Sequence, residues 1–337
     1  MKLRRILSMT LAGALTIGAM AGCGASGGTA ASGSGAASGD GAKIGYINLA
    51  DTDVFCMTRE KAFVKAAEEK GWSVSCTDGN NDSQKQIDQA KSFIAQGVDA
   101  LVIVPCDAAA CVPAVEEANR AGVPVIVFGN DLTGADDLDY TFIGSPHTVS
   151  GEMEGEYMAE ALPENAKVCY LAGTAGLDHA AMRRDGTHSA LEAAGRTDVE
   201  FLDDQDGDYV KDEGMRITQA WIQKFADGDG VQFDAIISAN DQMALGAIEA
   251  LKGANIPVGT DEGEVLVCGI DGSDEGLQNV KDGYMALTVL QDAPGQGKAA
   301  VEAIQTILDG GKPDHEINVD YVPVTAENID EYIDYNK

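Results

Sequence analysis

The chain has 337 residues, 45% of them hydrophobic, and carries 55 Asp and Glu against 23 Lys and Arg, for a formal net charge of −32. Such acidity excludes a nucleic-acid partner, whose phosphates the surface would repel. The four histidines and seven cysteines show no paired spacing of the kind a zinc site needs, so no metal is expected.

Residues 1–22 read as processing sequence. Lys2, Arg4 and Arg5 form a basic start, and residues 6–20 form an apolar run of 15 residues. That run is too short to cross a bilayer comfortably and ends in small residues, as signal peptides do. Met20-Ala21-Gly22-Cys23 resembles the bacterial lipobox, which implies cleavage before Cys23 and lipidation of its thiol. Loss of residues 1–22 removes three positive charges and moves the formal charge from −32 to −35. Residues 23–42 are almost entirely Gly, Ser, Ala and Thr. A coil of that composition buries no apolar surface, spans roughly 25 Å r.m.s., and reads as a tether to the membrane. Beyond it, residues 43–337 suffice for two lobes of ordinary size.

From Lys43 onward short β-branched runs alternate with amphipathic segments. Strands are predicted over 43–49, 72–76, 100–105 and 123–128, then over 167–172, 199–202, 233–238, 265–269 and 285–291. Helices are predicted over 57–70, 84–96, 112–120, 217–225 and 243–251, with Gly71, Gly97, Gly122 and Gly253 placed as left-handed stops. The strand runs are continuously apolar, as parallel strands covered on both faces are. The rhythm predicts an α/β protein of two doubly wound parallel-sheet, Rossmann-like lobes. Cys169 and Cys268 fall inside apolar strands, as small buried hydrophobes do. The sequence leaves the redox state of the six cysteines beyond Cys23 open.

Open parallel sheets bind ligands beyond the carboxyl ends of their strands. The polar residues there are Asp51 to Phe55, Asn130, Asp178 to Arg184, Asp206 to Tyr209, Asn240 with Asp241, Asp271 and Gln291. The first strand leads into Leu49-Ala50-Asp51-Thr52-Asp53-Val54, with no glycine to approach a pyrophosphate and two acids to repel it. This excludes dinucleotide and P-loop chemistry, and no cofactor is expected. A calcium loop over residues 203–213 fails on spacing, since its glycine position is Tyr209. No serine lies in a strained nucleophile elbow with a histidine partner. The residues fit carbohydrate instead. Asp53 and Asp271 accept hydroxyl protons, Arg183 offers a planar fork, and Asn130, Asn240 and Gln291 both donate and accept. Phe55 and Tyr209 supply flat walls for the C–H face of a sugar ring.

From Lys43 to about Tyr321 the chain resembles the ribose/galactose-binding branch of the type I periplasmic binding proteins. The matches are Lys43-Ile44-Gly45-Tyr46-Ile47, Gly122-Val123-Pro124-Val125-Ile126, Gly269-Ile270-Asp271-Gly272 and Ala286-Leu287-Thr288-Val289-Leu290-Gln291. The most specific is Asn240-Asp241-Gln242-Met243-Ala244-Leu245-Gly246-Ala247. The resemblance implies sugar contacts by Asp53 and Phe55 from one lobe. From the other lobe and the hinge it implies contacts by Arg183, Tyr209, Asn240, Asp271 and Gln291. It also implies a three-crossover hinge, placed near 145–146, 291–292 and 322–323, with ligand in the interlobe cleft. The lobes are then 43–145 plus 292–321 and 146–291 plus 322–337. Two positions depart from the family pattern. Gly129 stands where Asp or Asn is usual, and Cys56 where ribose-binding relatives carry a second aromatic; both suggest room for a larger or substituted sugar. A calcium loop of the glucose/galactose type would fall near 162–166 and is absent from the sequence.

These readings predict a monomeric, non-enzymatic binding protein, exported and lipid-anchored at Cys23 on the outer face of the membrane. It would capture a neutral sugar or polyol and pass it to the permease of an ABC transporter. Presentation of ligand to a chemoreceptor or sensor kinase, or a secreted glycosidase, are the alternatives. Two acids against one base, Arg183, give the site a formal charge of −1 and disfavour anionic ligands. A protonated His179 would cancel that excess, though a solvent-facing place for it is the expectation.

Overall fold

The computed structural model describes residues 41–228 and 230–336; residues 1–22, Cys23 and nearly all of the 23–42 tether lie outside the described residues. The first series of elements is β1 (Lys43–Asn48), α1 (Val54–Glu69), β2 (Ser73–Asp78), α2 (Ser83–Gln96), β3 (Ala100–Ile103), α3 (Val112–Ala121), β4 (Val125–Phe128) and β5 (Thr141–Gly144). The second begins with α4 (His147–Ala161), β6 (Lys167–Ala172), α5 (Asp178–Ala193), β7 (Glu200–Asp206) and α6 (Lys211–Lys224). A short hairpin, β8 (Ala226–Asp227) with β9 (Gly230–Val231), leads to β10 (Ala235–Ser238), α7 (Asp241–Gly253), β11 (Leu266–Asp271), α8 (Asp274–Lys281) and β12 (Leu287–Gln291). The chain closes with α9 (Ala293–Leu308), β13 (Glu316–Asn318), β14 (Tyr321–Val324) and α10 (Ile329–Tyr332).

Two six-stranded sheets result, in the orders β13-β5-β4-β3-β1-β2 and β14-β12-β11-β10-β6-β7. Every pairing in the first is parallel, and in the second only β14 runs antiparallel, against β12. The doubly wound α/β reading therefore holds. All four residues of β3, β4 and β10 are buried, as expected of strands with helices on both faces. Each sheet has its own apolar core, one around Tyr46, Phe63 and Phe128, the other around Tyr170, Trp221 and Leu251.

The chain passes between sheets three times. It leaves the first after Gly144, returns after Gln291, and leaves again between Asn318 and Tyr321. The last crossing thus falls before the expected 322–323. Tyr321 already pairs with Gln291, while Val319 N still donates to Gly144 O at 3.0 Å. Strand β7 runs on to Asp206, four residues past the predicted end at 202. As an edge strand it carries acids that partners on α6 hold: Asp203 accepts from Trp221 Nε1 at 3.0 Å and Lys224 Nζ at 2.8 Å. Gly97 and Gly122 close α2 and α3 in the left-handed region, both at φ 73°, and Gly71 follows Lys70, the C-cap of α1, at φ 75°. Gly253 instead stays within α7, and Asn255 takes the left-handed turn at φ 58°. The six described cysteines are free thiols, with Cys106 and Cys111 Sγ 4.0 Å apart.

Candidate functional site

A single cavity collects Asp53, Phe55, Asn130, Arg183, Tyr209, Asn240, Asp271 and Gln291, all eight residues predicted from strand ends. Both sheets contribute. Asp53 and Phe55 follow β1 and Asn130 follows β4; Tyr209, Asn240, Asp271 and Gln291 follow or end β7, β10, β11 and β12. Arg183 enters from α5, where it is 4% exposed. Leu49, Cys56, Arg59, Val104, Gly129, His147 and His179 complete the wall.

Two of the eight are helix caps as well as wall residues. Asp53 caps α1, Oδ1 accepting from Cys56 N at 2.7 Å, and Asn240 caps α7, Oδ1 accepting from Met243 N at 3.0 Å. Capping leaves the other carboxylate oxygen of Asp53 for a ligand, whereas the Asn240 amide also donates to Tyr209 O at 3.2 Å. The Asn130 side chain is likewise committed to the protein: Nδ2 donates to Pro105 O at 2.8 Å, and Oδ1 lies 3.2 Å from His147 Nε2.

Arg183 is the polar centre. Nη1 donates to Ala239 O at 2.5 Å and lies 3.8 Å from Asp271 Oδ1, and Nη2 lies 3.4 Å from His147 Nδ1. Asp271 also accepts from Gln291 Nε2 at 2.7 Å. Burial pushes the Asp271 carboxyl well above the usual range; Arg183 opposes this, and Asp241 and Asp53 add to it. The backbones of Asp271 and Tyr209 hold positive φ, 135° and 62°. Non-glycine residues adopt such angles only where the surroundings impose them, commonly at ligand sites, at a cost of about 1–3 kcal/mol each.

His147 and His179 are part of the wall, in place of the solvent face expected for His179. The His179 ring stacks on Tyr209 with centroids 5.5 Å apart at 19°, and the His147 centroid is 5.4 Å away. Burial, with Arg183 beside it, pushes His179 down to about 3, and burial, Arg183 and His179 push His147 well below its ordinary value. Both are neutral at physiological pH, so His179 does not balance the acids. Arg59 does. It is 3% exposed and was missed from sequence, although it follows Phe55 by one helical turn on α1. Asp53 and Asp271 against Arg59 and Arg183 make the wall formally neutral rather than −1. His147, in the first turn of α4, carries no signal in the sequence that singles it out.

Two doubly wound sheets with one polar cavity across their strand ends define the class of two-lobed solute receptors. The chain belongs to the periplasmic binding protein family, in the type I, ribose-binding branch: the family model described as "Periplasmic binding protein domain" matches residues 44–312. It is 33% identical over 258 residues to the ribose import binding protein of Bacillus subtilis, covering 77% of this chain and 79% of that protein. It is 30% identical to a putative rhizopine-binding protein of Rhizobium meliloti, covering 78% and 82%. Among solved structures it is similar to an ABC transporter solute binding protein from Bacillus halodurans with bound myo-inositol. That match has a TM-score of 0.77 and 29% identity, and covers 87% of this chain and 98% of the other.

Proposed function

We propose that this chain is an extracytoplasmic receptor that captures a neutral monosaccharide or polyol and delivers it to an ABC-type permease, making and breaking no bond. One observation carries this reading. Three buried polar atoms of cavity-wall residues, Arg59 Nε, Arg183 Nε and Tyr209 OH, have no hydrogen-bond partner among the described residues. Buried polar groups are almost always satisfied, and an unmet one costs about 1–3 kcal/mol. A polyhydroxylated ligand reaching both sheets suits a wall with such unmet polar groups. Its hydroxyls suit acceptor-only carboxylates and donor-only guanidiniums alike, and the balanced charge of the wall suits a neutral molecule. Contacts made to both lobes at once favour the closed arrangement over an open one, which is how ligand selects the form a permease recognises.

Relatives named for ribose import and a neighbour bound to myo-inositol make D-ribose and myo-inositol the first probes. A bound ligand raises the melting temperature by mass action. We expect at least one neutral monosaccharide or polyol to do so, and to be recovered unchanged after incubation. A screen in which no neutral sugar or polyol shifts the melt, or in which the compound is converted to product, overturns the reading.

The same reading places the mature protein, as a monomer, on a lipid anchor at Cys23, which holds stably only with more than one acyl chain. Cys23→Ala is then expected to leave an unprocessed precursor or to release the protein from the membrane fraction. Correct processing with unchanged membrane attachment removes the anchor from the proposal.

A further inference from the structure

Arg59 reaches the cavity through a slot that two small residues leave open. A Cβ at Gly129, whose φ is +71°, would fall 2.4 Å from Arg59 Nη1, and Cys56 Sγ lies 3.5 Å from Nη2. The room that Gly129 and Cys56 suggest for a bulkier ligand is therefore taken up by this guanidinium. Its Cζ lies 5.2 Å from the ring centroids of both Phe55 and Phe128, which fix its position.

The protein meets this group's polar needs only in part. Its acceptors are Gln296 Oε1 at a long 3.4 Å and the weak acceptor Cys56 Sγ at 3.5 Å, and Nε has none. The buried Tyr46 hydroxyl stands beside it and favours the charged guanidinium, and Asp53 acts on it as a nearby charge. Among the described residues no carboxylate oxygen lies within 4.0 Å of it. Arg183, by contrast, has Asp271 at 3.8 Å and a carbonyl at 2.5 Å. A buried cation without a close counter-charge is costly, and it persists where something else supplies acceptors.

We propose that Arg59 is a specificity-determining residue of this cavity, donating to adjacent ligand oxygens from the slot between Gly129 and Cys56. It confines the site to compact ligands that present acceptors at that point. The inference rests on the sugar-binding reading above. The planar fork suits two neighbouring oxygens, whereas Asp53 and Asp271 demand donors. The site thus reads a ligand on one side as acceptor and on the other as donor, so a deoxy analogue lacking an oxygen opposite Arg59 is selected against.

The test compares the full-length protein with Arg59→Leu, Arg59→Lys and Gly129→Ala. Each is melted without ligand, then titrated calorimetrically with D-ribose and myo-inositol. Arg59→Leu is expected to melt at or above the wild-type temperature, because an apolar side chain replaces a buried charge that lacks a close partner. It should nonetheless bind the better probe about tenfold or more weakly. Arg59→Lys, which keeps the charge but not the fork, should fall between them. Gly129→Ala should weaken binding by displacing Nη1, and most of that penalty should vanish in the Arg59→Leu background. Affinity of Arg59→Leu within about twofold of wild type, or a ligand-free melt well below wild type, overturns the inference. A wild type that binds neither probe counts against the sugar-binding reading, and the ligand-free melt still decides whether Arg59 is merely structural.

Discussion

Arg183→Ala is expected to weaken sugar binding about ten- to a hundredfold at neutral pH. The magnitude follows from the loss of one charge-assisted hydrogen bond, about 1.5–3 kcal/mol. The structure narrows what else changes. Asp271 is 7% exposed and, once Arg183 is gone, keeps Gln291 Nε2 at 2.7 Å as its remaining side-chain hydrogen bond. Burial already raises its pKa and Arg183 is the main influence opposing that rise, so in the variant the carboxyl moves further toward its neutral form. A carboxyl donates where a carboxylate accepts, which compounds the loss. Arg183→Ala combined with Asp271→Asn is therefore expected to bind no worse than Arg183→Ala alone. Asp53 should keep its place, since Oδ1 caps α1 and the carboxylate forms no ion pair with Arg183 within 4.0 Å. Calorimetric titration of the best neutral ligand checks all of this. Unchanged affinity in Arg183→Ala would mean that ligand binds elsewhere.

Much of this architecture was legible because parallel strands covered on both faces must be continuously apolar. The runs at 100–105, 123–128 and 233–238 are buried throughout their strand portions and could hardly be anything else. The rule that ligands sit beyond strand ends then brought seven polar residues and Phe55 to one cavity without further information. What escaped lies where a side chain's role depends on something absent. Helices α4 and α5 show little apolar period because their contact is built from glycine: a Cβ at Gly151 would strike Arg183 O, and one at Gly186 would lie 2.3 Å from Thr148 O. An apolar-period reading looks for large residues and passes over a face made by removing them. Arg59 was missed for a related reason. On a helix an arginine reads as surface, and only the missing side chains at Gly129 and Cys56, distant in sequence, let it turn inward. That one residue is the difference between a site of formal charge −1 and a neutral one. Edge strand β7 was cut short because half-exposed strands tolerate the acids that a buried strand excludes.

Asp241 is a position where a single change should cost the fold heavily. It is fully buried, yet its carboxylate accepts three bonds: from Ser273 N and Ser273 Oγ, each at 2.8 Å to Oδ2, and from Thr288 Oγ1 at 2.7 Å to Oδ1. Thr288 Oγ1 accepts in turn from Gly272 N at 3.0 Å, and Ser273 Oγ from Gly276 N at 3.1 Å. The space is made to measure, because a Cβ at Gly269 would fall 2.6 Å from Oδ1 and one at Gly276 2.2 Å from Oδ2. This carboxylate at the start of α7 thereby ties the end of β11 to β12 and to the start of α8. Asp241→Ala removes the acceptor from a backbone N–H and two hydroxyls that stay buried, and leaves a void between two glycines that cannot fill it. The expected destabilisation is about 3–5 kcal/mol, at the upper end for one substitution. Affinity should fall with it, by a route that touches no ligand. The turn Asp241 clamps is the one that follows Asp271, whose φ is 135°, and release of the clamp is expected to let that backbone relax. The check is a chemical denaturation curve together with titration of the surviving folded protein. A midpoint indistinguishable from wild type refutes the clamp. A lower midpoint with affinity intact would show that Asp271 keeps its strained backbone without help from Asp241.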